Sequence, residues 1–234
     1  MRRFDEPWLT RDGAEVVAEL AIEVPEHPAL PALIEPDPLP LVRHPSDAPL
    51  VELAHPRVMV LGNYQAAGWE HSRPDTWLRA ETLERLGHAV DSLPDRWGLC
   101  VFDAWRPLEL QAELHAAAYG HPGLPPGFVS PPDPDPRTPP PHLTGGTVDC
   151  SLTIDDIPLG LGAGFDDFTD RARTDALEAE PGPNRDLRRL LFWTMRGAGF
   201  VVLDCEWWHF EYGTRRWAAI TGNDPLFGPT IPDA

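Results

Sequence analysis

No stretch of this 234-residue chain approaches the ~18 uninterrupted apolar residues that a bilayer-spanning helix needs, so no membrane association is expected. The segment Met1-Arg2-Arg3-Phe4-Asp5-Glu6-Pro7-Trp8 carries two arginines but lacks the apolar run of a secretory signal. Cysteine is scarce: Cys100, Cys150 and Cys205 are odd in number and form no CxxC pair. That argues against a disulfide framework and against a cysteine-based zinc site. A cytoplasmic location is the resulting expectation. Positive charge is also short, with 19 Lys plus Arg against 37 Asp plus Glu and a net charge of −18. Binding of nucleic acid through a basic surface is therefore not expected. The acidity bears on solubility, not on fold.

Proline is abundant where these are lacking. The 29 prolines cluster and punctuate the chain. Pro25, Pro28, Pro31, Pro36, Pro38, Pro40, Pro45 and Pro49 mark residues 1–50 as an arm packed on the main domain, extended over 24–49 without helix or central strand. A second tract, Pro122 to Pro141, makes 121–141 a long loop that ends directly at His142. The remaining chain, 51–234, is expected to form one domain, for which an apolar content of 42% supplies a core of ordinary size.

Between the tracts the apolar pattern is regular. It predicts strands at 57–61, 99–104 and 147–154, and helices at 76–93, 107–119 and 184–197, the last opened by Asn184 as N-cap. A fourth strand runs from Phe200 through Val201-Val202-Leu203 and Cys205 into Glu206-Trp207-Trp208-His209. With no internal repeat and unequal spacing, this is an α+β pattern: a single compact domain with a small, mostly antiparallel sheet flanked by helices.

Three constellations can carry chemistry. His142 stands seven residues before Asp149, and Gly145-Gly146 between them can turn the backbone so that both side chains converge, which a straight strand would forbid. Glu206 and His209, three apart, would also separate on an ideal strand, so a bulge or a strand end is required there. Otherwise the segment is a buried aromatic strand whose Glu206 pairs with an arginine. Arg106, in Asp103-Ala104-Trp105-Arg106-Pro107, can reach into a cleft and hold a developing oxyanion, or else form a surface pair with Asp103. Cys150 and Cys205 are expected as small buried residues behind the site. The Asp155-Asp156 and Asp166-Asp167 pairs are given no role, save that Asp166 can support the site or a substrate amine.

Together these parts resemble the D-alanyl-D-alanine dipeptidases, zinc hydrolases of the vancomycin-resistance type related to the D,D-carboxypeptidases. Four elements carry the resemblance over roughly residues 57–213: DAWRP at 103–107, HxxGxxxD from His142 to Asp149, LGAGFD at 161–166 and EWWH at 206–209. The resemblance implies that His142, Asp149 and His209 bind one Zn²⁺ per chain. It also implies that Glu206 is general base and acid, that Arg106 stabilises the tetrahedral intermediate, and that the substrate is a small peptidoglycan-derived peptide such as D-Ala-D-Ala. Pro140 stands where the family usually has a serine, and Gly160 where an acidic residue is expected, both associated with the dipeptide end of the pocket. The alternatives are a D,D- or L,D-carboxypeptidase acting on longer peptidoglycan peptides, a non-catalytic module that binds cell-wall peptides, and a metal-free interaction protein with the proline arms as its contact surface.

Overall fold

Two apolar segments organise the molecule because both lose their wet face. In the computed structural model, which describes residues 9–120 and 127–232, Trp97–Asp103 and Thr147–Ile154 lie side by side as antiparallel strands, the second buried along its whole length. In chain order the elements are β1 (Arg11–Asp12), α1 (Gly13–Leu20), β2 (Leu50–Glu52), β3 (Val58–Val60), α2 (Asn63–Ala66), β4 (Trp77–Arg79) and α3 (Ala80–Ser92). There follow β5 (Trp97–Asp103), α4 (Leu108–Tyr119), a 3₁₀ turn (His142–Thr144), β6 (Thr147–Ile154), β7 (Ile157–Gly160), α5 (Pro183–Gly197), β8 (Val201–Leu203), β9 (Glu206–Glu211) and α6 (Arg215–Thr221). None of the described helices is long and apolar enough to cross a membrane. The Met1–Trp8 segment and the His121–Pro126 part of the second proline tract lie outside the described residues.

The main sheet runs β1-β7-β6-β5-β3, with β9 also paired to β6 and β8 to β9. One edge of β6 is taken by β5. The other is divided, with Thr147–Asp149 pairing β9 and Thr153–Ile154 pairing β7. Only β1 with β7 and β3 with β5 are parallel, so the sheet is mostly antiparallel, as the pattern predicts. Helices α1 and α3 both pack on α5, and the apolar stripes of α3 and α5 close the core with Leu86, Val90, Leu187, Leu190, Leu191 and Met195.

Three local expectations are corrected. The helix predicted from 76 begins at Ala80, because Trp77–Arg79 pair with β2 as a strand. Arg79 fixes that pairing by donating to the carbonyls of Thr144, Ala48 and Gly228, three acceptors that the local sequence does not reveal. Asn184 does not cap its own helix, whose N-cap is Gly182 with Pro183 following. Its side chain accepts from Ala14 N and donates to Asp12, closing the start of α1 instead. The fourth strand is a hairpin: β8 and β9 are separate antiparallel strands joined through Asp204 and Cys205. Cys205 is therefore a half-buried turn residue, whereas Cys150 is fully buried in β6.

Residues 23–49 carry no helix or strand, and Val24, Leu30 and Leu33 pack against the core. Several backbone carbonyls of this segment are answered by distant side chains: Pro28 O accepts from Trp193, and Leu39 O and Pro40 O accept from Arg215. Proline-rich chain cannot satisfy itself with a ladder, so such cross-contacts replace one. Leu152 is fully buried in β6 opposite Leu99. Leu152→Ala should lower the unfolding free energy by about 2–5 kcal/mol in urea titration, with the slope unchanged.

Candidate active site

Strand register builds the centre of the site. Asp149 is directly opposite Asp103 of β5 on one side and His209 of β9 on the other, so all three side chains share a face of the sheet. His142 comes from the 3₁₀ turn just before β6, and Gly145 (φ +71°) reverses the chain between them. A Cβ on Gly146 would run into the backbone oxygen of Tyr212, and the left-handed backbone of Gly145 strains any other residue, so this return depends on both glycines. The ligand-capable atoms of His142, Asp149 and His209 lie within 4.8 Å of one another, all buried. His142 Nε2 is 3.3 Å from Asp149 Oδ2, and His209 Nδ1 is 3.0 Å from Asp149 Oδ1.

The outer partners leave one nitrogen of each ring for this common point. His142 Nδ1 donates to Ala104 O at 2.6 Å, which turns the Nε2 lone pair inward. His209 Nε2 donates to Glu211 Oε1 at 3.1 Å, which directs Nδ1 inward. Asp149 Oδ1 is buried and has no aligned hydrogen bond among the described residues despite the nearby His209 nitrogen. Two imidazole nitrogens and a carboxylate converging on one point, with an oxygen left unsatisfied, fit a three-ligand catalytic zinc. Burial alone would lower the pKa of His209, but the carboxylates of Asp149 and Glu211 outweigh it and hold the ring at about 10. Burial would raise Glu211 too, yet His209, Arg216 and Thr214 bring it down to about 2.

Glu206 reaches the centre through a bulge. Val202 of β8 pairs with Phe210 and the next residue, Leu203, pairs with Glu206, so Trp207-Trp208-His209 protrude from the ladder. Glu206 Oε2 thereby comes 3.7 Å from His209 Nδ1. Its carboxyl is pushed up to about 7, chiefly by burial and further by Asp149, against the opposing pull of His209, Arg106 and Arg216. The aromatic expectation for this segment holds as well. Trp207 meets Phe102 edge-on and Trp208 meets Phe165, both tryptophans being buried.

Arg106 is buried, not part of a surface pair. It donates through Nε to Asp103 at 2.9 Å, through Nη1 to Gln111 at 2.9 Å and through Nη2 to Tyr64 Oη at 3.3 Å, with Asp149 Oδ2 3.7 Å away. Tyr64 donates onward to Asp166 Oδ2 at 3.0 Å, and burial keeps its phenol protonated. A cleft opens here, lined among others by Tyr64, Arg106, Asp166, Phe168, Glu206 and Arg216. Pro140 lines an adjoining cavity, and Gly160 ends β7 beneath Thr10, so neither forms the wall of this cleft. Sequence reasoning did not single out Tyr64, Gln111, Glu211 or Arg216. Glu211, two residues after His209 on the same strand face, is the one with a legible signal.

The family model described as D-ala-D-ala dipeptidase, of the peptidase M15 group, matches residues 95–223, which contain Arg106, His142, Asp149, Glu206 and His209. The chain is 31% identical over 199 residues to the D-alanyl-D-alanine dipeptidase of Synechocystis sp., covering 70% of this chain and 78% of that protein. It is 34% identical over 118 residues to the D-alanyl-D-alanine dipeptidase of Escherichia coli (strain K12), covering 48% and 54%. In protein stripped with a chelator, the His209 ring should stay protonated through neutral pH and titrate near 10 in nitrogen-15 NMR spectra. Removing the Glu211 anion with Glu211→Gln should lower that midpoint; a ring neutral at pH 7 would contradict the electrostatics described.

Proposed function

The chain belongs to the D-Ala-D-Ala dipeptidase family, and on that premise we propose that this peptidase hydrolyses D-alanyl-D-alanine or a similar short D,D-dipeptide with one zinc ion per chain. The convergence of His142 Nε2, Asp149 and His209 Nδ1 beside a buried Glu206 is the observation that carries this reading. Zinc held by His142, Asp149 and His209 would polarise the scissile carbonyl and acidify water toward a pKa of about 7.

The remaining chemistry falls to side chains of the chain itself. Glu206, whose carboxyl sits near 7, takes the proton of the attacking water and passes it to the leaving amine. Arg106 is held from behind by Asp103 and Gln111, so its charge is already aimed when the carbonyl oxygen becomes an anion. Asp166, oriented by the Tyr64 hydroxyl in the same cleft, offers a carboxylate for the free ammonium of a dipeptide. That supports a dipeptide over a longer, acylated peptide.

Release of D-alanine from D-Ala-D-Ala should stop on chelation and return with zinc, and Glu206→Ala should abolish it while zinc remains bound. Unchanged turnover in Glu206→Ala would sink the mechanism, and equal turnover of an N-blocked peptide would move the substrate to longer cell-wall peptides. Binding without hydrolysis in zinc-loaded wild type would make the chain a binding module instead. Arg106→Lys keeps charge but loses the fork; kcat should fall about 10²- to 10³-fold with KM little changed in steady-state assays.

A further inference from the structure

The proline-rich arm meets the metal-site residues through one side chain. Glu35 Oε2 accepts from Arg216 Nη1, and its other oxygen accepts from Asp204 N at 3.1 Å, in the turn that delivers β9. Arg216 Nε donates at 3.0 Å to Glu211 Oε1, the same oxygen that accepts from His209 Nε2 at 3.1 Å. Glu211 Oε2 is meanwhile held by Thr214 Oγ1. The contacts thus form one unbroken series, Glu35 to Arg216 to Glu211 to His209. Arg215, next in the chain, grips the arm at Leu39 O and Pro40 O, so the arm is fixed just beyond Glu35.

We propose that Glu35 is a positioning residue for the metal centre, acting through Arg216 and Glu211 to fix the ring of His209. The inference rests on the zinc reading of the site. Arg216 is flanked by Glu35 and Glu211, and a guanidinium shared between two carboxylates holds its plane and, with it, the Glu211 carboxylate. Glu35 is itself partly exposed, so its direct field at the ligands is screened and its leverage is geometric. An isolated surface pair of this exposure would matter little; one that sets the partner of a ligating histidine matters through that partner. Removing such partners typically costs about 10- to 100-fold in metal affinity.

The test measures zinc affinity by competition with a chromophoric chelator, and zinc release by stopped flow, on the full chain. Glu211→Gln should weaken zinc about 10- to 100-fold. Glu35→Gln should weaken it by a smaller share of that, about threefold or more, mostly through faster release. In the Glu211→Gln background, Glu35→Gln should add nothing, because the series is already cut. Glu35→Asp, which keeps the charge and shortens the reach, should also speed release and serves if the first variant folds poorly. Unchanged release in both Glu35 variants, or losses that multiply in the double variant, overturn the proposal. So does a loss matched by a lowered unfolding midpoint of the metal-free protein. If the wild type holds no zinc, the reading of the site fails; if it holds zinc as the Glu35 variants do, only the positioning role fails.

Discussion

Burial of like charge is the constraint on which the rest of the molecule depends. Asp149, Glu206 and Glu211 are buried together, with Asp103 nearly so, at adjoining positions on three neighbouring strands. Carboxylates cannot be taken out of water in that number without cations or protons to match. Arg106 and Arg216 answer part of the charge, and in the metal-free protein a proton on His209 and the raised carboxyl of Glu206 answer more. A divalent ion held by His142, Asp149 and His209 would take the place of protons, coupling its uptake to their release. The chemistry proposed for the site and the stability of the sheet are thus two outcomes of one electrostatic arrangement.

Much of this was legible in the sequence because it resides in residue kind and spacing. Two glycines between His142 and Asp149 demand a turn, and the turn is there. An odd spacing of Glu206 and His209 demands a bulge, and the bulge is there. The strands at β5 and β6 follow from apolar runs that need two dry faces. What could not be read are partners supplied from elsewhere. Tyr64, Gln111, Arg216 and Glu35 are ordinary residues on four separate segments, and only tertiary contact gives them their places. Asn184 looked like a cap and is one, but for a helix about 170 residues away, because propensity names a role without naming its partner. Asp166 reaches the wall of the cleft through its loop, whereas Pro140 lines the adjoining cavity and Gly160 ends β7 beside Thr10, placements that only the folded chain reveals.

Buried arginines explain how so much irregular chain stays ordered. Arg188 donates to the carbonyls of Leu161, Arg171 and Arg173 and lies over Trp207. It thereby ties the loop carrying Asp166 to the strand carrying Glu206. Arg79 does the same for the arm, the turn at Thr144 and the C-terminal segment at Gly228. Each guanidinium replaces part of the ladder that segments without regular structure cannot make, at the cost of desolvation that pulls Arg188 down to about 9.

The protrusion of Trp207-Trp208-His209 from the β8–β9 ladder has a consequence for how the segment can vary. Regular pairing would set Leu203 against His209; here it faces Glu206, three residues earlier. Insertion or deletion of one residue would invert the alternation, sending a tryptophan into the cleft and an ionisable group into the aromatic core. Substitutions in the hairpin can be absorbed by repacking, whereas a change in its length cannot. What must be inherited unaltered is a count of residues as well as their identities.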